Sequence, residues 1–413
     1  MAKDKPTGPP GQRFGPGWAV TAAFIGPGTV TTMTVAGAQF GHALLWAILL
    51  SVVIAIILQE MTGRAAIARG AGFGTILRER FQGPFRTMII GLVIAAIFVG
   101  NAAFQIGNIA GASLGLQVVI GGPFPLLALI VAVSAFLALW FAAAQRIDLI
   151  LRSAVALMGA AFLATLFLVP LDWADIARGL TPRIPGGALL LVLATIGTTV
   201  VPYNLFLHSS LVKEVGWRAT DLVYMRRDTI IAVAVGGLLT SAILLTSASL
   251  LEGTTIRDAH GMALQLDPLL GPFASKAFGS GLFLAGMTSA ITAPIAAAYA
   301  VTQVLGGKWT EGGITGFRFR FVWITVVAAG LIPEAVSFLV TIDVIGLILV
   351  AQALNGILLP FLAVLLVVVA NHRSMGGLRN RIVGNVAAAL ACLVAIFLGA
   401  RLVIQAFSAL GGN

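Results

Sequence analysis

The sequence predicts an all-α integral membrane protein, and three observations support this fold class. Of the 413 residues, 59% are hydrophobic and 10% are charged, whereas a soluble domain carries about 25% charged residues. The mean hydropathy is +1.02, and the apolar residues form runs of the roughly 20 residues that a helix needs to cross a bilayer. These runs are too long for membrane strands and do not alternate as strands do.

The apolar runs define eleven predicted spans. Their approximate bounds are 16–42, 43–65, 88–116, 123–144, 153–170, 187–211, 229–251, 275–305, 319–340, 343–370 and 382–406. Residues 1–15 are polar and rich in glycine and proline, so we expect a disordered cytoplasmic tail and no cleavable signal sequence. The chain has one cysteine, Cys392, which excludes an intrachain disulfide.

The basic residues predict the orientation of the spans. With the N-terminus in the cytoplasm and one crossing per span, only five of the 25 Lys and Arg residues fall on the outer side: Arg178, Arg183, Arg257, Lys276 and Arg401. Cytoplasmic loops are enriched in Lys and Arg, so we expect a multi-pass protein of the inner membrane with its C-terminus outside. The net charge of +10 is then explained by membrane topology and lipid headgroups, and nucleic acid is not an expected partner.

Two spans carry helix breakers in their apolar middle. The first contains Ile25-Gly26-Pro27-Gly28-Thr29, and the sixth contains Gly197 and Pro202 within Ile196–Asn204. Pro removes a backbone N–H, and Gly lets the chain leave helical geometry. Matching breaks in two halves indicate an inverted-repeat transporter with its site between the breaks, although two independent Pro kinks are the alternative. We therefore predict repeats at 16–170 and 187–370, followed by a separate span at 382–406.

Several segments resemble the natural resistance-associated macrophage protein (NRAMP) family of divalent-metal transporters. They are AGAQFGHALLWAILLSVVIAIILQ (36–59), VPYNLFLHSSLV (201–212), DPLLGPFASKAFGSGLFLAGMTSAIT (267–292) and AQALNGILLPF (351–361). With the span count, the resemblance covers essentially the whole chain. It implies a LeuT-type fold, in which spans one to five and six to ten form inverted repeats and span eleven is additional. It also implies alternating access as the mechanism.

The residues that hold the metal in this family are largely replaced. The family's Asp-Pro-Gly-Asn in the first span reads Gly26-Pro27-Gly28-Thr29 here, and its Met-Pro-His in the sixth reads Val201-Pro202-Tyr203. The acidic positions of its third span fall on Asn101 and Phe104. Three positions do match the family: Thr198, Gln352 and His208, the last of which is a candidate proton-linked residue.

The remaining polar side chains in the middle of the spans are neutral. No Asp or Glu falls in the middle third of a predicted span, and Glu334 and Asp343 are expected near the outer surface. A bare divalent cation at this depth normally needs carboxylates. The candidate substrate-binding residues are Gly26, Thr29, Thr198, Val201, Tyr203, Gln352 and Asn355, and the third span adds Asn101 and Gln105. No metal-ligand set and no cofactor are predicted.

The sequence therefore leaves the cargo open. The resemblance implies a divalent metal ion, whereas the altered site favours a small neutral or anionic polar solute, with hydrated Mg²⁺ as a further alternative. A non-transporting sensor on the same scaffold would need a signalling domain, and the tails and loops are short. An intramembrane enzyme would need paired carboxylates, a zinc-spaced His cluster or a Ser/His/Asp set within the spans, and the sequence has none. We expect a transporter and not an enzyme, and a monomer is plausible.

Overall fold

The computed structural model describes residues 15–141, 144–311 and 313–411, so the predicted tail 1–15 lies, except for residue 15, outside the described residues. These ranges contain helices, turns and connecting segments, and no strand. The α-helices are α1 (Pro16–Phe24), α2 (Pro27–Phe40), α3 (Leu45–Arg69), α4 (Phe73–Arg80), α5 (Gly83–Ile120), α6 (Phe124–Trp140), α7 (Ala144–Leu166), α8 (Trp173–Gly179), α9 (Leu189–Thr199), α10 (Pro202–Val215), α11 (Leu222–Leu251), α12 (Ala259–Ala263), α13 (Asp267–Leu270), α14 (Ala274–Leu305), α15 (Phe317–Gly330), α16 (Ile332–Val336), α17 (Val344–Ala370) and α18 (Ile382–Gly411).

Each predicted span corresponds to one helix or to a pair of helices. The first span is divided into α1 and α2, and the sixth into α9 and α10. Spans two to five are α3, α5, α6 and α7, and spans seven to eleven are α11, α14, α15, α17 and α18. Within the described residues, eight helical segments are long and apolar enough to cross a membrane, and α6 and residues 155–166 of α7 are shorter apolar helices.

One of these eight segments, Pro27–Arg69, contains two predicted spans because the chain reverses inside it. Near its end α2 meets the second half of α11, where a Cβ on Gly37 would lie 2.5 Å from the carbonyl oxygen of Leu244. Near its own end α3 meets the start of α11, where Gly63 packs on the sulfur of Met225. The two helices therefore run in opposite directions, and the reversal occurs in the 3₁₀ turn Gly41–Leu44, whose first residue has a φ of 54°.

The packing of α5 against α14 relies on small residues. A Cβ on Gly115 would lie 2.5 Å from the carbonyl oxygen of Gly279, and a Cβ on Gly286 would lie 2.6 Å from the Cβ of Ala112. Close approach of this kind supplies van der Waals contact between helices in lipid, where water provides no driving force. It also brings the polar face of α5 against the middle of α14.

Long helices of the bundle expose apolar side chains on their outer faces. On α6, five aliphatic side chains at helical spacing are exposed: Leu126, Leu129, Ile130, Val133 and Leu137. The opposite face of α6 packs into the bundle through Ala128, Val131 and Ala135. An apolar surface of this kind is stable in contact with lipid tails and not with water.

The ninth span differs from the prediction of one helix over 319–340. The helix α15 ends at Gly330, α16 begins at Ile332, and turns follow as far as residue 340. The reason is Pro333, which lies in the first turn of α16 and cannot donate to the turn before it. This interruption directs Glu334 into the protein, where it is 2% exposed.

One end of the bundle, called here the arginine-rich end, is formed by the end of α3, α4, the start of α11 and residues 371–381. The guanidinium of Arg64 donates to the carbonyl oxygen of Leu378 (2.7 Å) and to the Oδ1 of Asn380 (2.6 Å). It also pairs with Glu60 (3.0 Å), which Arg226 of α11 approaches to 2.8 Å. Segments predicted to share the basic side of the membrane are therefore neighbours.

Candidate transport site

The first span is broken at Ile25 and Gly26, and Gly26 is extended (φ −125°, ψ −172°). Pro27 begins α2 at a position where its missing N–H has no helical partner to lose. Within the described residues no side chain caps this helix start. The N–H groups of the first turn of α2 therefore point out of the helix at the break, with the positive end of the helix dipole.

The sixth span is broken at Val200 and Val201, and α10 begins at Pro202. Val201 is extended (φ −73°, ψ 127°). Gly197 was predicted to be part of this break, and that prediction was wrong because the residue lies inside α9. Its role is close packing: a Cβ there would overlap the carbonyl oxygen of Gln352 and lie 2.6 Å from the amide nitrogen of Gly356.

The two breaks meet through a pair of threonines. The hydroxyl of Thr29 donates to the carbonyl oxygen of Phe24 (2.5 Å), the last residue of α1. The hydroxyls of Thr29 and Thr198 are 2.8 Å apart, and both side chains are fully buried. Since Thr29 has given its only proton to Phe24, Thr198 is the donor between the two hydroxyls. This contact ties the end of α9 to the start of α2.

Gln352 of α17 lies where three other elements converge. Its Nε2 is so close to Gly28 of α2 that a Cβ there would clash with it, and a Cβ on Gly107 of α5 would lie 2.9 Å from the same atom. The backbone of Gln352 packs directly on Gly197 of α9. The side chain is fully buried, and neither atom of its amide has a hydrogen-bond partner among the described residues. A buried amide is costly unless a group outside the described chain, such as water or a ligand, pairs with it.

Asn355, one turn along α17, repeats this pattern. Its Oδ1 would lie 2.8 Å from a Cβ on Gly100 of α5, and neither amide atom has a partner in the described chain. The neighbouring Asn101 donates from Nδ2 to the carbonyl oxygen of Ile97 (2.9 Å), while its Oδ1 is unpaired. Asn355 thus presents a buried amide at the contact between α17 and α5, and Asn101, next to Gly100 in the sequence, adds a buried acceptor on α5.

The polar face of α5 continues through Gln105 and Asn108. The Nε2 of Gln105 donates to the carbonyl oxygen of Ala290 on α14 (3.0 Å), and its Oε1 is 3.5 Å from the Nδ2 of Asn108. The Oδ1 of Asn108 has no partner among the described residues and would lie 4.0 Å from a Cβ on Gly26. A Cβ on Gly26 would also lie 2.7 Å from the buried Oγ of Ser289, for which the described part of the chain likewise offers no partner.

Val201 and Tyr203 complete the lining near the second break. Both are 1% exposed. The ring of Tyr203 packs edge-on against Phe104 of α5 with centroids 5.6 Å apart, and its hydroxyl has no partner in the described chain. Next to it, Asn204 has no partner for either amide atom. The two family positions that read Phe104 and Tyr203 here are therefore in contact.

His208 lies apart from this group. Its Nε2 is 3.3 Å from the hydroxyl of Thr229 on α11, and its ring packs on Gly63 of α3. It therefore faces the α3–α11 side, whereas Gln352 faces α2 and α5, and Gln105 of α5 faces α14. Its Nδ1 is buried without a partner among the described residues, and the structure does not bring the ring to the breaks.

Sequence reasoning missed two residues, Ser289 and Glu334. Ser289 is a lone hydroxyl in an apolar span, and only packing reveals that it faces Gly26. Glu334 was predicted near the outer surface of the membrane, and its burial inside the protein was not foreseen: neither carboxylate oxygen has a partner among the described residues, and Gly330 one turn earlier packs on the side chain of Gln105. Within the described residues no three His, Cys, Asp or Glu side chains form a group that could hold a metal ion.

An all-helical membrane bundle, with two spans broken at mid-length and the breaks closed on one another beside a neutral polar cluster, defines a transporter of the LeuT type. Residues 17–405 match the family described as natural resistance-associated macrophage protein-like, and the chain belongs to this family. Both the resemblance noted in the sequence and the predicted fold class are confirmed.

The relatives are membrane transporters. The divalent metal cation transporter MntH of Verminephrobacter eiseniae is 29% identical over 408 residues, which cover 95% of this chain and 89% of that protein. MntH of Deinococcus radiodurans is 28% identical over 386 residues, covering 89% and 84%.

Two solved structures share the fold. The Eremococcus coleocola manganese transporter superposes with a TM-score of 0.77 at 20% identity, over 97% of this chain and 87% of that chain. Mhp1, a nucleobase-cation-symport-1 family transporter solved with bromovinylhydantoin bound, gives a TM-score of 0.59 at 15% identity, over 95% and 93%.

Proposed function

We propose that this chain is a transporter working by alternating access, whose cargo is a small polar solute rather than a directly coordinated transition-metal ion. The observation that carries the proposal is the cluster of buried, neutral and unpaired polar atoms at the two helix breaks. Gln352 and Asn355 contribute both amide atoms, and Asn101, Asn108 and Ser289 contribute one each. Amide and hydroxyl groups both donate and accept, so a neutral solute with donors and acceptors matches them best.

The energetics of these amides favour a bound ligand. A buried donor or acceptor that is left unpaired costs about 1–3 kcal/mol. Natural structures keep few such groups, and those that they keep are explained by a functional role or by a bound water or ion. A solute that hydrogen-bonds to Gln352 and Asn355 would recover this free energy on binding, and the recovered free energy would contribute to its affinity.

A bare divalent metal ion fits this cluster poorly. The relatives named above transport divalent metals, but the positions of the family's Asp, Asn and Met hold Gly26, Thr29 and Val201. Neutral oxygens alone rarely offset the cost of dehydrating a doubly charged ion in a low-dielectric site. An acidic side chain at Gly26 is also opposed sterically, because its Cβ would lie 2.7 Å from the Oγ of Ser289.

Hydrated Mg²⁺ is the second candidate. Mg²⁺ gives up water reluctantly and is often bound through it. The unpaired carbonyl oxygens of Asn101, Asn108, Gln352 and Asn355 are acceptors that metal-bound water can donate to. This alternative keeps a metal as cargo although the residues that contribute these unpaired oxygens are neutral.

The transport cycle that we propose uses the two repeats of 16–170 and 187–370, with the span at 382–406 outside them. We further propose that the arginine-rich end faces the cytoplasm of the inner membrane and that the C-terminus is outside. The distribution of basic residues supports this orientation, as do the contacts of Arg64 with Asn380 and of Arg226 with Glu60.

Uptake into proteoliposomes tests the cargo. The full chain is reconstituted and assayed with Mn²⁺, with Mg²⁺ and with labelled neutral and anionic solutes, beside protein-free vesicles. The variant Gln352→Leu is expected to lose uptake of the true cargo. Its matched control is Gln117→Leu on α5, a partly exposed glutamine that donates only to the carbonyl oxygen of Gly122. Uptake of no compound by wild type would favour the sensor alternative.

Rebuilding the family's metal site gives a sharper comparison. The variant Gly26→Asp, Thr29→Asn and Val201→Met restores the family motif, and Ser289→Ala makes room for the new Cβ. The wild type keeps the family's scaffold and lacks its metal ligands, so we expect Mn²⁺ uptake by this combined variant and not by the wild type. Equal Mn²⁺ uptake by the wild type would contradict the proposed change of cargo.

A further inference from the structure

A small cavity of about 70 Å³ lies at the arginine-rich end, away from the helix breaks. It is bounded by the end of α3, by α4, by the end of α17 and by the segment that follows α17. Its polar lining consists of Arg69, Glu79, Arg80, His372 and Ser374. The transport site uses none of these residues.

The cavity has more positive than negative charge around it. Arg69 pairs with Glu79 at 2.8 Å, whereas Arg80 has no carboxylate within ion-pair distance in the described part of the chain. Arg80 instead lies over the ring of Phe81, 5.6 Å from its centroid. The Nε–H groups of both Arg69 and Arg80 are buried and donate to no described atom. These two Nε–H groups therefore have hydrogen-bonding capacity left for a group outside the chain.

His372 lies in the same positive potential, which affects the pKa of its imidazole. Burial and the guanidinium groups of Arg80, Arg69, Arg379 and Arg373 lower the pKa of its imidazole below the ordinary value of 6.5. The Nδ1 of this ring accepts from the backbone N–H of Ser374 (3.3 Å) and lies 2.8 Å from its hydroxyl. In the neutral ring the proton is therefore on Nε2, which leaves a further donor at the cavity.

We propose that this cavity binds the phosphate group of an anionic ligand. Guanidinium forks match tetrahedral phosphate oxygens with charge-assisted hydrogen bonds, and Ser374 adds a hydroxyl. Glu79 is the one carboxylate at the site, and its side chain is 45% exposed, so it can turn towards water when the anion enters. The volume of about 70 Å³ suits one phosphate group.

The position of the site suggests what binding would do. The short helix α4 is anchored by the buried side chains of Phe73, Ile76 and Leu77, and His372 and Ser374 belong to the connection between α17 and α18. A phosphate held by Arg80 and Ser374 would join these two segments. The same chemistry is offered by the headgroup of an anionic lipid at the membrane surface and by free inorganic phosphate.

Thermal unfolding of the purified full chain separates these sources. The protein in neutral detergent is titrated with inorganic phosphate against chloride at equal ionic strength, and with short-chain phosphatidylglycerol against phosphatidylcholine. Stabilisation by phosphate identifies the free anion, and stabilisation by phosphatidylglycerol alone identifies the lipid headgroup. In Arg80→Gln the apparent affinity is expected to fall about tenfold, the loss typical of one charge-assisted hydrogen bond.

The matched control is Arg227→Gln, which removes an exposed arginine of α11 predicted for the same membrane side but outside the cavity. A second readout does not depend on any Arg variant. It is the pKa of His372, followed by NMR after isotope labelling of the four histidines, with the His372 signal assigned from the variant His372→Gln. A bound anion offsets the guanidinium charges, so it is expected to raise the pKa of His372. Failure of both ligands to stabilise the chain, or an equal loss of apparent affinity in Arg80→Gln and Arg227→Gln, would overturn the proposal. Either outcome would leave the proposed cargo unaffected.

Discussion

The transport site and the arginine-rich end treat buried polar groups in opposite ways. At the arginine-rich end, the guanidinium of Arg64 has an acceptor on Glu60, on Leu378 and on Asn380. At the helix breaks, the amides of Gln352 and Asn355 have no partner among the described residues. The first arrangement stabilises the fold, whereas the second leaves hydrogen-bonding capacity for something that is not part of the chain.

The two regions also differ in the charge of their polar side chains. The charged groups lie where the helices end, and the interior of the bundle is lined by amides and hydroxyls, with the buried Glu334 as an exception. Substitutions at the two regions should therefore change stability with opposite sign. The tests below begin with the largest expected effect.

Removal of Arg64 is expected to cost the most. In Arg64→Met the acceptors on Leu378 and Asn380 lose their donor, and Glu60 keeps only Arg226. Breaking a buried pair by removing one partner typically costs about 3–5 kcal/mol, and the Arg64 side chain is 7% exposed. Unfolding in detergent measures this loss. Arg178→Met removes an arginine from the exposed pair with Asp175 and should cost below about 1 kcal/mol, so equal losses in both variants would contradict the contrast.

Gly197→Ala should follow, because a Cβ would overlap the carbonyl oxygen of Gln352. Both groups are fixed by helices, so α9 and α17 must separate, and overpacking of this kind costs about 1–3 kcal/mol. The expected result is a lower unfolding temperature together with reduced transport. Gly186→Ala is the control, since a Cβ there meets nothing within 4 Å. Full transport activity and wild-type stability in Gly197→Ala would show that the close packing of α9 on α17 is not needed to position the transport site.

Gln352→Leu is expected to change stability in the opposite direction to Arg64→Met. Replacing an unpaired buried amide by an apolar side chain of similar size removes a penalty of about 1 kcal/mol or more. The variant should therefore be as stable as wild type or more stable, and yet inactive in uptake. A clear loss of stability, comparable with that of Arg64→Met, would mean that the amide is satisfied in the folded protein and would weaken the case for a ligand.

The smallest effect concerns Asp172, the exposed residue that caps the N-terminus of α8. The backbone N–H groups of Asp175 and Ala174 donate to its carboxylate and lower its pKa below the ordinary value of 3.8. A lowered folded-state pKa contributes stability that is present above the unfolded value and is lost as pH falls through the folded value. Hydrogen exchange should show α8 opening more readily in acid in wild type, and no such pH dependence in Asp172→Asn, which keeps the cap without titrating.

Much of the fold was predictable from the sequence because membrane helices are long and apolar. All eleven predicted spans correspond to helices. Both spans that were predicted to be interrupted are broken, the first at Ile25 and Gly26 and the sixth at Val200 and Val201. Two details of the helices were predicted wrongly. Gly197 lies inside α9, where it packs closely on α17, and spacing carries no information on such a tertiary contact. The ninth span ends early at Gly330, and Pro333 was the sequence signal that could have predicted this break.

The candidate site was predictable only as a set of residues. Gln352, Thr29 and Thr198 were identified from matches to the family and from polar positions in apolar runs, and the structure brings them to one junction. His208 was identified by the same reasoning and lies elsewhere. The burial of Ser289 against Gly26 and that of Glu334 depend on which helix faces are in contact, so no sequence signal distinguished them.

Isothermal titration of Mn²⁺ into the purified wild-type chain is the most direct test of the altered cargo. The variant with Gly26→Asp, Thr29→Asn, Val201→Met and Ser289→Ala serves as the positive control. The expected result is no micromolar binding by the wild type and measurable binding by the restored variant. Micromolar Mn²⁺ binding by the wild type, lost in Gln352→Leu, would contradict the conclusion that a cluster without carboxylates excludes directly coordinated divalent metal.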